Sequence, residues 1–279
     1  MTLHDTIVHR GNSTIQHGHL NNRVYIMRLA KEDIPDIIRY ADDLARKEGY
    51  TKIFVKVPES SVETFASDGY VTEATVPFFY YGNESAVFMA KYLDPVRREV
   101  RDATATANAL SDAFSHVGER PVHNLPDGFS LQHAHTGDAA EIAGLYQTVF
   151  PTYPFPITDP EFIRESMQNT ARYFIIRKSH LLAAVASCEI DTANRNIEVT
   201  DFATGPLFRG RGFASLLLGA IETELKKEGI GLAFTICRAV FGPINTVFAS
   251  AGYQFGGQLP NNTNICGSIE SMNVWYKRV

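Results

Sequence analysis

The spacing of hydrophobic residues alternates between that of strands and that of helices, and this alternating series occurs once in each half of the chain. In the first half they predict a strand over 23–29, a helix over 33–47, a strand over 52–57, a short helix ending at Gly69, and strands over 70–81 and 86–93. Apolar residues recur every second position in the strands and every three to four positions in the helices. The first half is therefore predicted to be an alternating α/β unit.

The second half repeats this alternation with more strands. The pattern predicts strands over 129–133, 173–177, 181–190, 197–204 and 232–237, helices over 138–150 and 244–250, and two closing strands that end at Lys277. Residues 97–119 are predicted to form a polar, alanine-rich helix or linker, and 120–128 contains two prolines. A chain of 279 residues is comfortable for two domains. We therefore predict domains over 1–120 and 121–279.

A short sequence occurs once in each half. Phe65-Ala-Ser-Asp-Gly-Tyr70 is echoed by Phe248-Ala-Ser-Ala-Gly-Tyr253, and each copy follows a predicted strand and precedes a closing pair of strands. The first half therefore resembles a degenerate copy of the second.

A glycine-rich turn follows the strand predicted over 197–204. The next residues are Arg209-Gly-Arg-Gly-Phe-Ala-Ser215, and apolar residues at helical spacing then continue to Leu225, before Gly229. Amides left unpaired in a first helical turn, together with the helix dipole, can bind a phosphate. No Gly-Lys-Ser/Thr follows, which excludes a P-loop. A solvated turn that caps an ordinary helix is the alternative from this segment alone.

Arg209-x-x-Gly212-x-Ala214 resembles the coenzyme A pyrophosphate loop of the GCN5-related N-acetyltransferases, and the order of elements over 128–279 resembles their fold. The resemblance implies an α/β fold whose mixed, mostly antiparallel sheet is flanked by helices, with a smaller N-terminal α/β half-domain. It also implies an enzyme that uses acetyl-CoA as co-substrate and no metal. The implied cofactor-binding residues are Phe202, Ala203, Thr204, Arg209, Gly210, Arg211, Gly212, Phe213, Ala214 and Ser215.

Acyl transfer to an amine needs a proton acceptor, and Glu198 is the leading candidate for a catalytic base. It lies in the strand before the loop, in a segment that resembles the one carrying the base in relatives that acetylate histones. Because strand side chains alternate, Asp201 is expected on the opposite face. Phe248 stands where many relatives have a tyrosine that protonates the leaving thiolate. Tyr253 is an alternative donor, although a packed aromatic ring is the stronger interpretation.

Nearly the whole chain resembles a narrower group, the β-lysine N6-acetyltransferases. The specific segments are Tyr153-Pro-Phe-Pro-Ile157, Thr235-Ile-Cys-Arg-Ala239 and the stretch from Asn261 to Lys277. The resemblance implies transfer of acetyl to the terminal amine of β-lysine, which yields an osmolyte. Candidate substrate-binding residues are Tyr153, Asp201, Arg238, Asn262 and Glu270. Another small amine, a protein lysine, and a non-catalytic acyl-CoA-binding regulator are the alternatives.

Composition narrows the partners. The net charge of −5 and the isoelectric point near 6.0 argue against a nucleic-acid partner, and no apolar run is long enough to span a membrane. Three widely spaced cysteines indicate neither a disulfide framework nor a zinc site. The histidines of the polar N-terminus, His4, His9, His17 and His19, are interpreted as part of a disordered arm. A cytoplasmic protein is expected, and the first half packs on the catalytic half, contributes to a homodimer, or shapes the substrate entrance.

Overall fold

The computed structural model describes residues 4–279, and within them all the strands form one sheet. The strands are β1 Thr6–Arg10, β2 Ser13–Gly18, β3 Arg23–Arg28, β4 Lys52–Pro58, β5 Val71–Tyr80, β6 Glu84–Tyr92, β7 Phe129–His133, β8 Ala171–Lys178, β9 Leu181–Asp191, β10 Asn196–Thr204, β11 Leu232–Arg238, β12 Gln254–Ile265 and β13 Ser268–Arg278. The α-helices are α1 Asp36–Glu48, α2 Val62–Ser67, α3 Ala103–Ser115, α4 Ala139–Val149, α5 Pro160–Asn169, α6 Phe213–Glu228 and α7 Gly242–Ser250.

The strand order reveals two similar units within the sheet. It runs β1-β2-β3-β4-β6-β5-β12-β13-β11-β10-β9-β8-β7. Two strand pairs, β3 with β4 and β10 with β11, are parallel, and the others are antiparallel. The units meet where Ala74 of β5 pairs with Gly257 of β12. The segment β3-α1-β4-α2-β5-β6 is thus the topological counterpart of β10-α6-β11-α7-β12-β13, and the predicted α/β fold with a mixed, mostly antiparallel sheet is confirmed.

The repeated hexapeptide occupies equivalent places in the two units. Phe65 lies in α2 and Phe248 in α7, both fully buried, and each packs edge-to-face on the tyrosine that ends its copy, Tyr70 or Tyr253. The glycine before each tyrosine has a positive φ, +89° at Gly69 and +83° at Gly252. The repeated hexapeptide therefore forms the same helix-to-strand turn in both units.

One apolar core joins the two halves. Tyr25, Phe54 and Phe88 of the first half pack with Phe234 and Met272 of the second. Phe234 lies 6.5 Å from Phe88 between ring centroids. This core thus runs across neighbouring strands of both halves of the continuous sheet.

Buried cations of the first half also hold one bend of the second. The register of β12 against β13 shifts between Leu259 and Thr263, and we call residues 260–263 the β12 bulge. Three side chains donate to successive carbonyl oxygens there: Lys52 to Pro260 at 2.9 Å, Arg97 to Asn261 at 2.7 Å and Arg23 to Asn262 at 2.5 Å. The asparagine-rich segment after Leu259 is therefore the contact that fixes the first half against the second.

Two predictions for secondary structure were wrong. The N-terminal segment was interpreted as a disordered arm, but β1 and β2 form a hairpin that pairs with β3, and Ile15 is fully buried in the core of the first half. Residues 1–3 of that segment lie outside the described residues. No helix was predicted between 150 and 173, yet α5 begins after Asp159, whose side chain accepts from the amide of Glu161 at 2.9 Å. Both elements are stabilised by contacts remote in sequence.

The segment between the halves is partly helical. Residues 103–115 form α3, which packs against α7 of the second half, with Ala113 fully buried there. The domain boundary near residue 120 stays a prediction. No helix in residues 4–279 is long and apolar enough to cross a membrane.

Candidate active site

The main cavity opens where two parallel strands separate. β10 pairs with β11 only from Asn196 to Glu198, opposite Leu232 to Phe234. Beyond this point β10 stays paired with β9, and β11 with β13, so the two strands diverge. The divergence leads into a cavity of about 1130 Å³ whose walls come from both halves of the chain. A slot of this kind can admit an extended ligand between two strands.

The glycine-rich loop lies at the cavity. Gly210 and Gly212 have φ values of +74° and +72°, and α6 begins directly after Gly212. The amide of Leu216 makes a helical bond to the Gly212 oxygen at 3.1 Å. The amides of residues 213–215, one turn earlier, therefore have no acceptor within the helix. This is the geometry in which a helix N-terminus binds an anion.

Nine of the ten residues predicted to bind the cofactor line the cavity. They are Phe202, Thr204, Arg209, Gly210, Arg211, Gly212, Phe213, Ala214 and Ser215. The side chain of Ala203 instead lies in the core beneath α4. Its backbone remains in β10, between the cavity-lining residues Phe202 and Thr204.

Gly212 is required for two structural reasons. Its positive φ disfavours any residue with a side chain, and a Cβ there would lie 2.4 Å from Nδ1 of His123. His123 belongs to the segment 120–128, which therefore packs directly on the loop. Arg120 of the same segment pairs with Glu222 of α6 at 2.6 Å.

Glu198 and Asp201 face the same cavity, so the prediction that they point to opposite faces was wrong. The register of β10 against β9 shifts between Thr200 and Ala203, and Asp201 has a φ of +55°. A β-bulge of this kind inserts an extra residue and resets the alternation of side chains. The two carboxyl groups are thereby brought into one site.

Of the three carboxylates predicted for this site, Glu198 is the one that accepts no hydrogen bond from residues 4–279, whereas Asp201 and Glu270 are both partnered. Glu198 is half-buried, and among residues 4–279 no side-chain or backbone donor is within hydrogen-bonding distance of its carboxyl oxygens. Burial, followed by the negative charge of Asp201, raises its pKa, while the Lys56 ammonium acts in the opposite direction. A raised pKa and free oxygens are the properties that a general base needs near neutral pH.

Asp201 is held by hydroxyl groups instead. Tyr153 donates to Oδ1, Ser187 donates to Oδ2 at 2.5 Å, and Thr200 donates to Oδ1 at 3.2 Å. Burial raises the pKa of Asp201 although these three donors lower it. The carboxylate therefore fixes the orientation of Tyr153, whose own pKa is raised, chiefly by burial.

Glu189 is a third carboxylate of the site, and it was not predicted. It pairs directly with Glu198 across β9 and β10, on the same face, and also lines the cavity. Burial and then the charges of Glu198 and Asp201 raise its pKa to about 7. The signal that could have found it is the pairing of two adjacent predicted strands, which places the two glutamates opposite each other.

Lys56 of the first half also lines the cavity, close to these carboxylates. Its ammonium lies 5.5 Å from the ring centre of Phe234, the residue opposite Glu198 in β11. Burial lowers the pKa of Lys56, but Tyr25, the Glu198 carboxylate and Tyr80 outweigh it, so the net pKa is raised. One cation of the first half thus acts on two carboxylates of the second, Glu198 and Glu189.

The other predicted substrate-binding residues are placed differently. Arg238 lines the cavity, but it donates to both oxygens of Glu270, at 2.8 and 2.7 Å. Both were predicted to bind the substrate, and in the structure they neutralise each other. Asn262 lines the cavity from the β12 bulge, and its Oδ1 is buried without a hydrogen-bond partner.

The aromatic pair near the end of α7 lies outside the site. Phe248 is fully buried and packs edge-to-face on Phe202, with ring centres 5.7 Å apart. Tyr253 is 1% exposed, does not line the cavity, and has a hydroxyl without a hydrogen-bond partner. Tyr253 therefore packs in the core, and its position gives it no route to protons in the cavity.

Comparisons with known proteins agree with this geometry. Residues 142–241 match the family model described as "Acetyltransferase (GNAT) family". The chain is 36% identical to a β-lysine N(6)-acetyltransferase of Methanococcus maripaludis over 98% of each chain. It is 30% identical to the N-acetyltransferase YodP of Bacillus subtilis over 96% of each. It is 31% identical to a β-lysine N(6)-acetyltransferase of Methanosarcina mazei over 84% of this chain and 93% of that one.

Proposed function

The chain belongs to the acetyltransferase (GNAT) family, and we propose that it transfers the acetyl group of acetyl-CoA to the terminal (N6) amine of β-lysine. The predicted family and the predicted class of enzyme, an N-acetyltransferase, are confirmed by similarity over nearly the full chain. The substrate is proposed because two of these relatives carry that activity in their names and match both halves of this chain.

One observation carries the mechanism: the unpartnered Glu198 carboxylate lies in the same cavity as the glycine-rich loop. The terminal amine of a lysine-like substrate is protonated in water, with a pKa of about 10.4. It must lose a proton before it can attack a thioester. Glu198 has free oxygens and a raised pKa, so we assign it the role of proton acceptor.

The loop supports the proposed binding of acetyl-CoA. Free amides of the first turn of α6, beside Arg209 and Arg211, offer donors and positive charge to a pyrophosphate. The diverged segment of β10, residues 202–204, supplies backbone groups beside the slot between the strands. Bound there, acetyl-CoA would supply the activated acyl group.

Departure of the thiolate needs no dedicated acid in this proposal. The residue at the usual tyrosine position, Phe248, cannot donate a proton, and Tyr253 lies outside the cavity. A thiol has a pKa of about 8.5, so a thiolate is a competent leaving group without prior protonation.

The charge distribution suits a substrate with two ammonium groups. Glu189, Glu198 and Asp201 form an acidic wall, and Tyr153, whose hydroxyl donates to Asp201, lines the same cavity. An ammonium entering this wall exchanges water for several oxygen acceptors. Acetylation then removes one positive charge, which leaves a neutral zwitterion.

The experiment is a measurement of coenzyme A release from acetyl-CoA with β-lysine, α-lysine, ornithine and spermidine, with products located by fragmentation in a mass spectrometer. Preference for β-lysine with acetyl on the terminal nitrogen is expected. Preference for another amine would overturn the substrate and keep the enzyme class. Binding of acetyl-CoA without release in the presence of any amine would favour a protein substrate or a regulatory role.

We further propose that the product acts as a compatible solute in the cytoplasm. Loss of one charge turns a cationic amino acid into a net-neutral one, which can accumulate without a counter-ion. Deletion of the gene should lower the pool of acetylated β-lysine and slow growth at high salt, with normal growth at low salt as the control.

A further inference from the structure

Arg23 is a buried cation without a counter-ion. Arg23 is only 3% exposed, and burial lowers its pKa to about 10. No carboxylate in residues 4–279 lies within 4.0 Å of its guanidinium. A buried guanidinium that lacks an anionic partner is costly, so its retention in a cavity wall calls for an explanation.

The two neighbouring cations on the same bulge differ in this respect. Lys52 pairs with Glu73 at 2.9 Å in addition to the Pro260 oxygen. Arg97 uses all three nitrogens, donating to Asn261, Thr51 and Asn21. Neither lines the main cavity, whereas Arg23 does. Three cations of the first half donate to the β12 bulge. Of these, Arg23 is the one that has unused donors and lines the cavity.

The unused donors of Arg23 form one edge of the guanidinium. Nη1 donates to the Asn262 oxygen and, at 3.3 Å, to Oγ1 of Thr263. Nε is buried without a partner, and Nη2 makes no hydrogen bond to any described residue. Nε and Nη2 form the fork that binds a carboxylate through two parallel hydrogen bonds.

An unused acceptor belongs to a residue that Arg23 already contacts. Asn262 is 2% exposed, its backbone oxygen is the acceptor for Arg23, and its side-chain Oδ1 is buried without a partner. Its Nδ2 makes a long contact of 3.4 Å to Thr263. A free donor fork and a free acceptor thus belong to two cavity-lining residues that are joined by a hydrogen bond, Arg23 of β3 and Asn262 of the β12 bulge.

We propose that Arg23 binds the carboxylate of the acceptor amino acid, while Oδ1 of Asn262 accepts a hydrogen bond from the ammonium group next to that carboxylate. The inference rests on the proposed function and names the part of the site that recognises an amino acid. The terminal amine would then be left for Glu198. Arg238, the one cation among the predicted substrate-binding residues, is already neutralised by Glu270.

The inference makes the first half a specificity element. A polyamine carries no carboxylate and would leave the Arg23 fork unsatisfied. Selection between a β-amino acid and a diamine of similar length would therefore be made by a residue outside the half that holds the coenzyme A loop.

The test compares β-lysine with its carboxamide, 3,6-diaminohexanamide, which keeps both amines and loses the negative charge. In the wild-type protein kcat/KM should favour β-lysine by about 10- to 100-fold, the range for hydrogen bonds between charged groups. Arg23→Gln should lower kcat/KM for β-lysine by a similar factor and change it less than about threefold for the amide. Arg23→Lys, which keeps the charge without the fork, should fall between them.

Arg97→Gln is the matched control because it removes a buried cation from the same bulge without touching the cavity. It should affect both substrates equally, and the affinity for acetyl-CoA should be unchanged in Arg23→Gln. Equal wild-type rates with β-lysine and the amide would overturn the inference, even if no Arg23 variant folds. Equal losses on both substrates in Arg23→Gln would do the same. If the wild-type protein does not acetylate β-lysine, the proposed function fails instead.

Discussion

The two halves place a helix after equivalent strands but treat its N-terminus in opposite ways. In the second half, Gly210 and Gly212 leave the start of α6 open to the cavity. In the first half, no glycine lies between β3 and α1, and the β1–β2 turn covers this junction. The Asp33 carboxylate there accepts from the amide of Asn12 at 3.0 Å and the hydroxyl of Ser13 at 2.6 Å. The same topology therefore yields an anion site in one half and a closed corner in the other.

Equivalent positions on the parallel strands of the two units also carry different residues. Glu198 pairs with Phe234 across the parallel strands of the second half, and Tyr25 pairs with Phe54 in the first. The tyrosine lines the same cavity but contributes an aromatic wall, on which Arg23 stacks at 4.9 Å. One half thus holds the proposed proton acceptor, and the other supplies cations and aromatic rings that face it.

The largest expected effect is a loss of kcat when Glu198 is replaced, compared with a replacement of Tyr25 at the equivalent position. Glu198→Gln should lower kcat by about 10²- to 10⁴-fold, because the amide cannot accept the proton, with the affinity for acetyl-CoA nearly unchanged. Steady-state kinetics together with calorimetric binding of acetyl-CoA will check this. Tyr25→Phe, at the equivalent position, should change kcat by less than about fivefold. Similar losses in both variants would contradict the assignment of Glu198 as the base.

The open helix start should be the next most sensitive feature. Gly212→Ala forces a side chain into a left-handed conformation against His123, so the KM for acetyl-CoA should rise by at least about tenfold. The control is Gly49→Ala, which has the same φ of +72° at the end of α1 but open space around it. That variant should lose about 1 kcal/mol of stability in thermal unfolding and keep its KM for acetyl-CoA. An unaltered KM in Gly212→Ala would remove the loop from cofactor binding.

Replacement of Lys56 tests whether the first half controls the pKa of Glu198 in the second. Glu198 must be ionised to act, burial raises its pKa, and the Lys56 ammonium opposes that rise. Lys56→Met should therefore raise the pKa of Glu198 further and move the acid limb of the pH profile of kcat/KM to higher pH. Activity should fall most at low pH and recover as the pH rises. Lys91→Met, which removes an ion pair with Asp42 in the first half, should leave the profile in place; a shift there too would point to a non-specific effect.

The smallest effect on catalysis is expected at the repeated corner. Phe248→Tyr restores the residue common in relatives, but the ring is fully buried outside the cavity, so kcat should change less than about threefold. A hydroxyl buried without a partner should cost about 1–3 kcal/mol of stability. Phe65→Tyr in the first half should show the same loss in thermal melts. A large gain in kcat for Phe248→Tyr would mean that this position takes part in thiolate protonation.

Local sequence determined most of the secondary structure and the position of the glycine-rich loop. The hydrophobic periods of α1, α6 and the central strands are properties of contiguous residues, as is the presence of two glycines, 210 and 212, directly before a helical pattern. The repeated hexapeptide was enough to indicate two related units. The hairpin β1–β2 and helix α5 were missed because their burial depends on remote partners.

Tertiary structure decided which polar residues form the site. A single bulge in β10 brought Asp201 to the side of Glu198, and strand pairing brought Glu189 opposite it. Arg238 carries the same charge as Arg23, but Glu270 lies within reach of Arg238, whereas no carboxylate of residues 4–279 lies within 4.0 Å of Arg23. Side-chain period and residue type are local, whereas register, bulges and the pairing of charges depend on which distant strands meet. For that reason the sequence by itself determined where the glycine-rich loop lies, and only the folded chain decided what faces it.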